Sequence, residues 1–328
     1  MSPQTKLTNT SYIDDVSRRG LLIGALTAAI FVACGDDGEK DEASAPAATT
    51  RTVDTPLGPV DVPVRPERVV VFDRRGTLAY LLDLGITPVG AMSAPTIYGS
   101  KFHPLLPGVE NVEAFDWQAP DLEKVAAMQP DLIVGYRNDV EKVYPQLSAI
   151  APTVALALEL NNPQKELTEL GTVFGLEDKA TKLTQEFEAE VAAAKAKVGT
   201  PGTVSIILPL LEGVRVYRGD DMAGQIIRAL GKTITPDISK LGAEPSVDIL
   251  LISFEQVSAI DGETLVVLAN LSSEYSSIKE NLYNMPVFKT LPSVRAGRVV
   301  EIESQANFGT AGLRGQRQIL DALVKAFA

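Results

Sequence analysis

Residues 161–200 contain no strand-like run, and this gap divides the chain. From Glu177 to Val198 the apolar residues Ala180, Leu183, Phe187, Val191, Ala194 and Val198 recur every three or four positions, one stripe of a helix. At 1.5 Å per residue that helix runs about 33 Å, and Gly199-Thr200-Pro201-Gly202 ends it. On either side, short apolar runs alternate with helical stretches. Before the gap, strands are expected at 69–72, 86–91, 131–135 and 153–158, with helices at 78–84, 122–128 and 140–150. After it, strands are expected at 204–210, 264–268 and 298–302 and helices at 222–230 and 312–327, with 248–253 readable as helix or strand. This alternation predicts two α/β halves, each around a mostly parallel sheet, with a long helix between them and a cleft where ligands bind.

The start of the chain reads differently. Leu21 to Ala33 is apolar, follows Ser17-Arg18-Arg19-Gly20, and is too short to span a bilayer, which takes about 20 residues. Two charges, an apolar run and a small residue form a secretion signal. The paired arginines point to the twin-arginine route, although Leu21-Leu22-Ile23 departs from its usual Phe and Lys. The run ends Phe31-Val32-Ala33-Cys34-Gly35, which resembles a bacterial lipobox and implies lipidation of Cys34 and anchorage at the outer face of the cytoplasmic membrane. Asp36 to Thr50, acidic and then rich in Ala, Ser and Thr, buries too little apolar surface to fold and reads as a tether.

Composition narrows the function. A net charge of −12 argues against a nucleic-acid partner, whose phosphates need a basic face. One His and one Cys remove disulfide scaffolds and zinc clusters and make any His-dependent catalysis rest on His103. No Gly-x-Ser-x-Gly elbow, strand-linked Gly-x-Gly-x-x-Gly or Walker sequence accompanies it, so an enzyme is not expected and no cofactor is implied.

An ordered set of motifs then carries a resemblance. Pro63-x-x-Pro66-Glu67-Arg68-Val69-Val70, Leu84-Gly85-Ile86-x-Pro88-Val89-Gly90, Pro120-Asp121-Leu122-Glu123-Lys124-Val125, Gln129-Pro130-Asp131-Leu132-Ile133-Val134 and Ile150-Ala151-Pro152-Thr153-Val154 lie in the first half. Ser253-Phe254-Glu255-Gln256-Val257 and Val294-Arg295-Ala296-Gly297-Arg298-Val299 lie in the second. Together, over about residues 56–328, the chain resembles the substrate-binding lipoproteins of iron–siderophore and cobalamin ABC importers. The resemblance implies two Rossmann-like lobes joined by one rigid helix, modest closure, and a monomer that hands an iron chelate to an ABC permease. With the leader and tether read above, the chain divides into 1–33 signal peptide, 34–55 tether, 56–160 first lobe, 161–200 helical connector and 201–328 second lobe. Glu123 and Glu255 match the family's two lobe-tip carboxylates, which meet arginines of the permease.

The ligand residues are read from placement. Arg74 and Arg75 follow the first strand and Arg137 follows the 131–135 strand, at the carboxyl ends where open α/β sheets bind ligands. Tyr217 and Arg218 follow the first strand region of the second half, Phe308 lies with Asn307 in the loop before the last helix, and Tyr98 and Trp117 add aromatic faces. Arginines suit an anionic ferric siderophore, and aromatic rings suit its aromatic parts. Trp117 stands where hydroxamate binders of this family carry an Arg, so the resemblance does not carry hydroxamate specificity over. Two alternatives stay open in the same fold: haem, with Tyr98, Tyr136 or Tyr217 as axial ligand, and cobalamin, with Trp117 against the corrin.

Overall fold

Runs that are apolar at every position belong in the middle of a parallel sheet, where helices cover both faces. In the computed structural model, which describes residues 49–157, 162–198, 201–270, 274–304 and 310–327, Val69–Val71 and Leu132–Tyr136 are buried at every position and lie side by side at the centre of the first lobe. That lobe opens with an antiparallel hairpin, β1 (Thr50–Val53) and β2 (Val60–Pro63). Its sheet follows: β3 (Val69–Val71), β4 (Gly90–Ser93), β5 (Glu113–Asp116), β6 (Leu132–Tyr136) and β7 (Thr153–Leu156). The order is β5-β4-β3-β6-β7 and every pairing is parallel. The helices are α1 (Thr77–Asp83), α2 (Pro95–Tyr98), α3 (Leu122–Ala127), α4 (Arg137–Val140) and α5 (Tyr144–Ile150). The chain leaves β3 toward β4 on one side and later returns to β6 on the other. The boundary between β3 and β6 is therefore the topological switch point. Gly135 allows the two chains to close there, since a Cβ at this position would stand 2.5 Å from the Phe72 carbonyl oxygen.

Two connector helices follow, α6 (Pro163–Phe174) and α7 (Glu177–Lys195). Ala180, Phe187 and Ala194 of α7 are buried, with Leu183 and Val191 packed beside them, as the expected stripe requires. The second lobe holds β8 (Thr203–Pro209), β9 (Val214–Tyr217), α8 (Met222–Ala229), β10 (Thr233–Ile234), β11 (Ile249–Ile252), β12 (Thr264–Ala269), α9 (Tyr275–Asn284), α10 (Pro286–Lys289), α11 (Pro292–Arg295), β13 (Val299–Glu303) and α12 (Gly312–Phe327). Its sheet runs β11-β9-β8-β12-β13, with β10 also on β8. β9 is antiparallel to β8, and β11 is antiparallel to β9.

The lobes share one core. Tyr80 and Leu81 of α1, Phe187 of α7, Ile226 of α8 and Ile319 of α12 belong to a single buried cluster. Asp83 of α1 accepts from the Leu313 N–H at 2.8 Å and pairs with Arg314 at 2.6 Å, so a first-lobe carboxylate caps the second lobe's last helix.

Two expectations are corrected, and one left open is resolved. The stretch read as tether to residue 55 ends sooner, because Thr50–Val53 pairs with Val60–Pro63 and Arg51 donates to the Thr172 and Val173 carbonyls of α6. The strand expected at 86–91 forms later, at Gly90–Ser93, beyond Pro88, which has no N–H to give a ladder. The 248–253 stretch is strand, β11. The leader and Cys34 lie outside the described residues.

A candidate ligand site at the carboxyl edge of the first sheet

The switch point carries charge. Phe72 extends β3 by a hydrogen bond from its N–H to the Val134 carbonyl at 2.7 Å, and Asp73, Arg74 and Arg75 come immediately after it. Arg74 lays its guanidinium over the Trp117 ring, 4.4 Å from the centroid. This cation–π arrangement keeps the arginine half-exposed and its planar fork in place. Trp117 follows β5 and is itself held by a hydrogen bond from its N–H to the Ser93 carbonyl at 3.3 Å. Arg75 stands 5.9 Å from the Tyr136 ring at the end of β6. The sequence-expected pair Arg74 and Trp117 is thus in contact, with Arg75 beside it.

Behind the arginines lie buried acids that the sequence reading missed. Asp73 is 1% exposed and Glu166 of α6 is 8% exposed. Burial pushes Asp73 up to about 7, against the opposing effects of the Thr77 hydroxyl and of the Arg75 N–H, which donates to Oδ1 at 2.8 Å. Burial pushes Glu166 up to about 8, against the Tyr136 hydroxyl that donates to it at 2.7 Å; the charge of Asp73 raises it further. Burial also raises Asp139, opposed by Arg75 and Arg74. Around neutral pH Asp73 and Glu166 are therefore partly neutral and cancel less of the two guanidinium charges, so the edge carries local positive charge on an acidic protein.

The same burial gives a pH signature. A raised carboxylate stabilises the fold below its unfolded value and loses that contribution as pH rises through its folded value. Stability is expected to fall by several kcal/mol between about pH 4 and pH 8, because for each of the two groups a pH unit between its unfolded and folded midpoints corresponds to about 1.4 kcal/mol. Urea midpoints measured across that range check it. Asp73→Asn with Glu166→Gln should flatten the slope, and an unchanged slope in that double variant would assign it elsewhere.

Of the remaining expected residues only Tyr98 lies with the arginines, lining one small pocket with Asp73, Arg74, Arg75 and His103; the others scatter. Tyr98 is buried, donates its hydroxyl to the Arg74 carbonyl and sets its ring edge against His103, with centroids 5.7 Å apart. The Leu105 N–H donates to His103 Nδ1 at 3.2 Å, leaving Nε2–H to donate to Glu303 of β13 at 2.8 Å, so the single His bridges the lobes. Arg137 is exposed at the carboxyl end of β6 and bonds Glu141 one helical turn on, at 3.2 Å. Tyr217 is 1% exposed and belongs to the core rather than to a cleft. Arg218 donates to the Val247 carbonyl at 3.0 and 2.7 Å and to the Glu244 carbonyl at 3.2 Å. The placement of Arg218 by strand order fails for a topological reason. Because β9 runs against β8, Arg218 lies level with the amino-terminal half of β8 and not at the carboxyl edge. On that edge of the second lobe stand Leu210 after β8 and Asn270 after β12, which sequence reading did not single out, together with the carboxyl ends of β11 and β13. Phe308, with Asn307, lies outside the described residues.

The haem alternative meets an obstacle here. An axial tyrosine needs its oxygen open to the ligand, yet Tyr98, Tyr136 and Tyr217 are all buried, and the Tyr98 and Tyr136 hydroxyls already donate to the Arg74 carbonyl and to Glu166. A separate, mainly apolar cavity of about 420 Å³, with Phe187, Val191, Met222 and Ile226 in its wall, shares no residue with the arginine cluster.

Glu123 and Glu255 occupy matching places. Glu123 is exposed in the first turn of α3, after edge strand β5, and Asp121 caps that helix by accepting from the Lys124 N–H. Glu255 is exposed in the first turn of a short 3-10 helix, Phe254–Ala259, after edge strand β11 and behind a Ser253–Gln256 capping box. Each lies past the carboxyl end of the edge strand of its own lobe.

Comparison with known proteins agrees with this architecture. The chain is 28% identical over 320 residues to a probable siderophore-binding lipoprotein, YfiY, of Bacillus subtilis, covering 94% of this chain and 97% of that one. It is 30% identical to the iron(3+)-hydroxamate-binding protein FhuD of the same organism, over 93% and 95% of the two chains. Among solved structures, Staphylococcus aureus SirA complexed with staphyloferrin B superposes with a TM-score of 0.70 at 24% identity, over 84% of this chain and 98% of that one. A FhuD fold-family periplasmic binding protein component of a Fep/Fec-like ferrichrome ABC transporter from B. subtilis gives 0.69 at 25%, over 84% and 99%. With the periplasmic binding protein family model matching residues 77–306 and the two-lobe fold in agreement, the chain belongs to that family.

Proposed function

We propose that this chain is the substrate-binding lipoprotein of an ABC importer, which captures a ferric siderophore and delivers it to the membrane permease. The observation that carries the reading is Arg74 over Trp117 at the switch point, a fixed cation on an aromatic face where this fold class binds ligands. Relatives similar over nearly the whole chain are named for siderophores and ferric hydroxamates, which supports this cargo over haem or cobalamin. The iron arrives as cargo already wrapped in its chelator, so the chain works as a monomeric binder, without a resident cofactor and without catalysis. Cys34 anchors it by lipid at the outer face of the bacterial cytoplasmic membrane, and the acidic segment after it serves as the tether.

The reading is tested in cells. Deleting the gene should abolish uptake of radiolabelled iron from one class of ferric siderophore. The intact chain should restore it, and Cys34→Ala should release the protein from the membrane fraction. Normal uptake of every ferric siderophore class in the deletion strain would contradict the proposal.

A further inference from the structure

Large apolar side chains are exposed at only four positions among the described residues: Val64 at 39%, Leu211 at 67%, Ile249 at 36% and Leu251 at 49%. Three of these four gather on one margin of the second lobe. Ile249 and Leu251 alternate on β11, the edge strand, so they share a face. Leu211 stands at the tip of the β8–β9 hairpin, closed by the Leu210 N–H donating to the Gly213 carbonyl at 2.9 Å. The tip lies against β11, because a Cβ on Gly213 would stand 2.3 Å from the Ile252 carbonyl oxygen and 3.4 Å from Leu251 Cδ1. Beside it, Leu210, Leu211, Phe254, Ile278, Asn281 and Met285 enclose an open cavity of about 230 Å³. Glu255 is the next residue after Phe254. An exposed carboxylate therefore directly follows a residue that lines this apolar cavity, and exposed apolar surface on soluble proteins marks interaction sites.

From this surface we infer that the second lobe carries most of the permease-binding energy, through an apolar contact around Leu211, Leu251 and Phe254 that surrounds the Glu255 ion pair, whereas Glu123 contributes a bare charge. The inference rests on the reading in which Glu255 meets the permease. Charge selects the occupant. A second copy would bring two Glu255 carboxylates together on chains of net charge −12. An anionic chelate gains nothing from an apolar wall beside a carboxylate. A membrane subunit with a basic side chain next to an apolar one satisfies both features: the apolar contact excludes water and the charge fixes register. Glu123 has no such surround. Its neighbour Lys124 is paired with Glu113 at 2.6 Å, and the first lobe's single exposed large apolar residue among those described, Val64, belongs to the loop after β2.

The test uses the ABC permease that supports uptake, reconstituted in lipid nanodiscs, and compares four variants of the full chain. Leu211→Ser with Leu251→Ser changes exposed positions and should leave melting temperature and ferric siderophore affinity unchanged while weakening permease binding about tenfold or more. Glu255→Ala should weaken it too, with a larger salt dependence lost. Glu123→Ala should slow association more than it speeds dissociation, and Val64→Ser should change nothing. If the double Ser variant binds the permease like the unaltered chain while Glu255→Ala does not, the apolar contact is refuted and the docking reading survives. If neither the Ser pair nor Glu255→Ala has an effect, the docking reading itself fails. Loss of siderophore affinity in the Ser pair, or a wild-type dimer that the Ser pair dissociates, overturns the inference in favour of a cleft wall or a self-interface.

Discussion

A chain carrying both Glu123→Ala and Glu255→Ala is expected to lose uptake altogether while keeping ferric siderophore affinity within about threefold. Both carboxylates are exposed, and neither belongs to the arginine cluster. Each stands in the first turn of a short helix after the edge strand of its own lobe, held by a local cap, Asp121 in one case and the Ser253–Gln256 box in the other. One charge per lobe at equivalent positions gives a two-point register for a partner with two basic sites. Rim charges of this kind steer encounter and fix orientation more than they add affinity, so the permease should be affected and the cargo should not. Radiolabelled iron uptake, with equilibrium dialysis of the purified variant, separates the two. A double variant that imports normally, or one that no longer binds cargo, would remove these residues from docking.

Much of this arrangement was legible because it depends on burial. Val69–Val71 and Leu132–Tyr136 are apolar at nearly every position, and only the centre of a parallel sheet demands that. The stripe from Ala180 to Val198 identified the connector for the same reason. Strand direction was not legible. Nothing in Val214–Tyr217 records that it runs against β8, although the short Gly213-containing link between two apolar runs is the mark of a hairpin. That one reversal moved Arg218 from the expected ligand edge to a clamp on the Glu244 and Val247 carbonyls. Arg137 followed by Glu141 was a readable i,i+4 pair. Asp73 and Glu166 escaped notice because an acid on its own gives no sign of burial; only the packing of α6 behind β6 brings Glu166 to Tyr136.

Arg74→Ala should weaken binding of an anionic ferric siderophore by roughly 10- to 150-fold, the effect of losing a charge-assisted contact of about 1.5–3 kcal/mol. Arg75→Ala should act in the same direction. Both guanidinium groups rest against aromatic rings, Arg74 on Trp117 and Arg75 near Tyr136, and a ring face leaves the N–H donors of the fork for a ligand. Arg218→Ala provides the contrast. It should leave siderophore affinity unchanged and lower stability by about 1–3 kcal/mol, because backbone carbonyls lose their donors.

The central claim is that Arg74 and Trp117 together receive the cargo, and the chain contains a single Trp. Its fluorescence therefore reports on the one ring beneath the Arg74 guanidinium. The most direct measurement is a quenching titration of a soluble form beginning at residue 36, which keeps β1 and its pairing, against ferric catecholate, ferric hydroxamate, haem and cobalamin. The expected result is saturable quenching by an anionic ferric siderophore, weakened by added salt and by Arg74→Ala. Tight quenching by cobalamin that neither salt nor Arg74→Ala alters would contradict the claim.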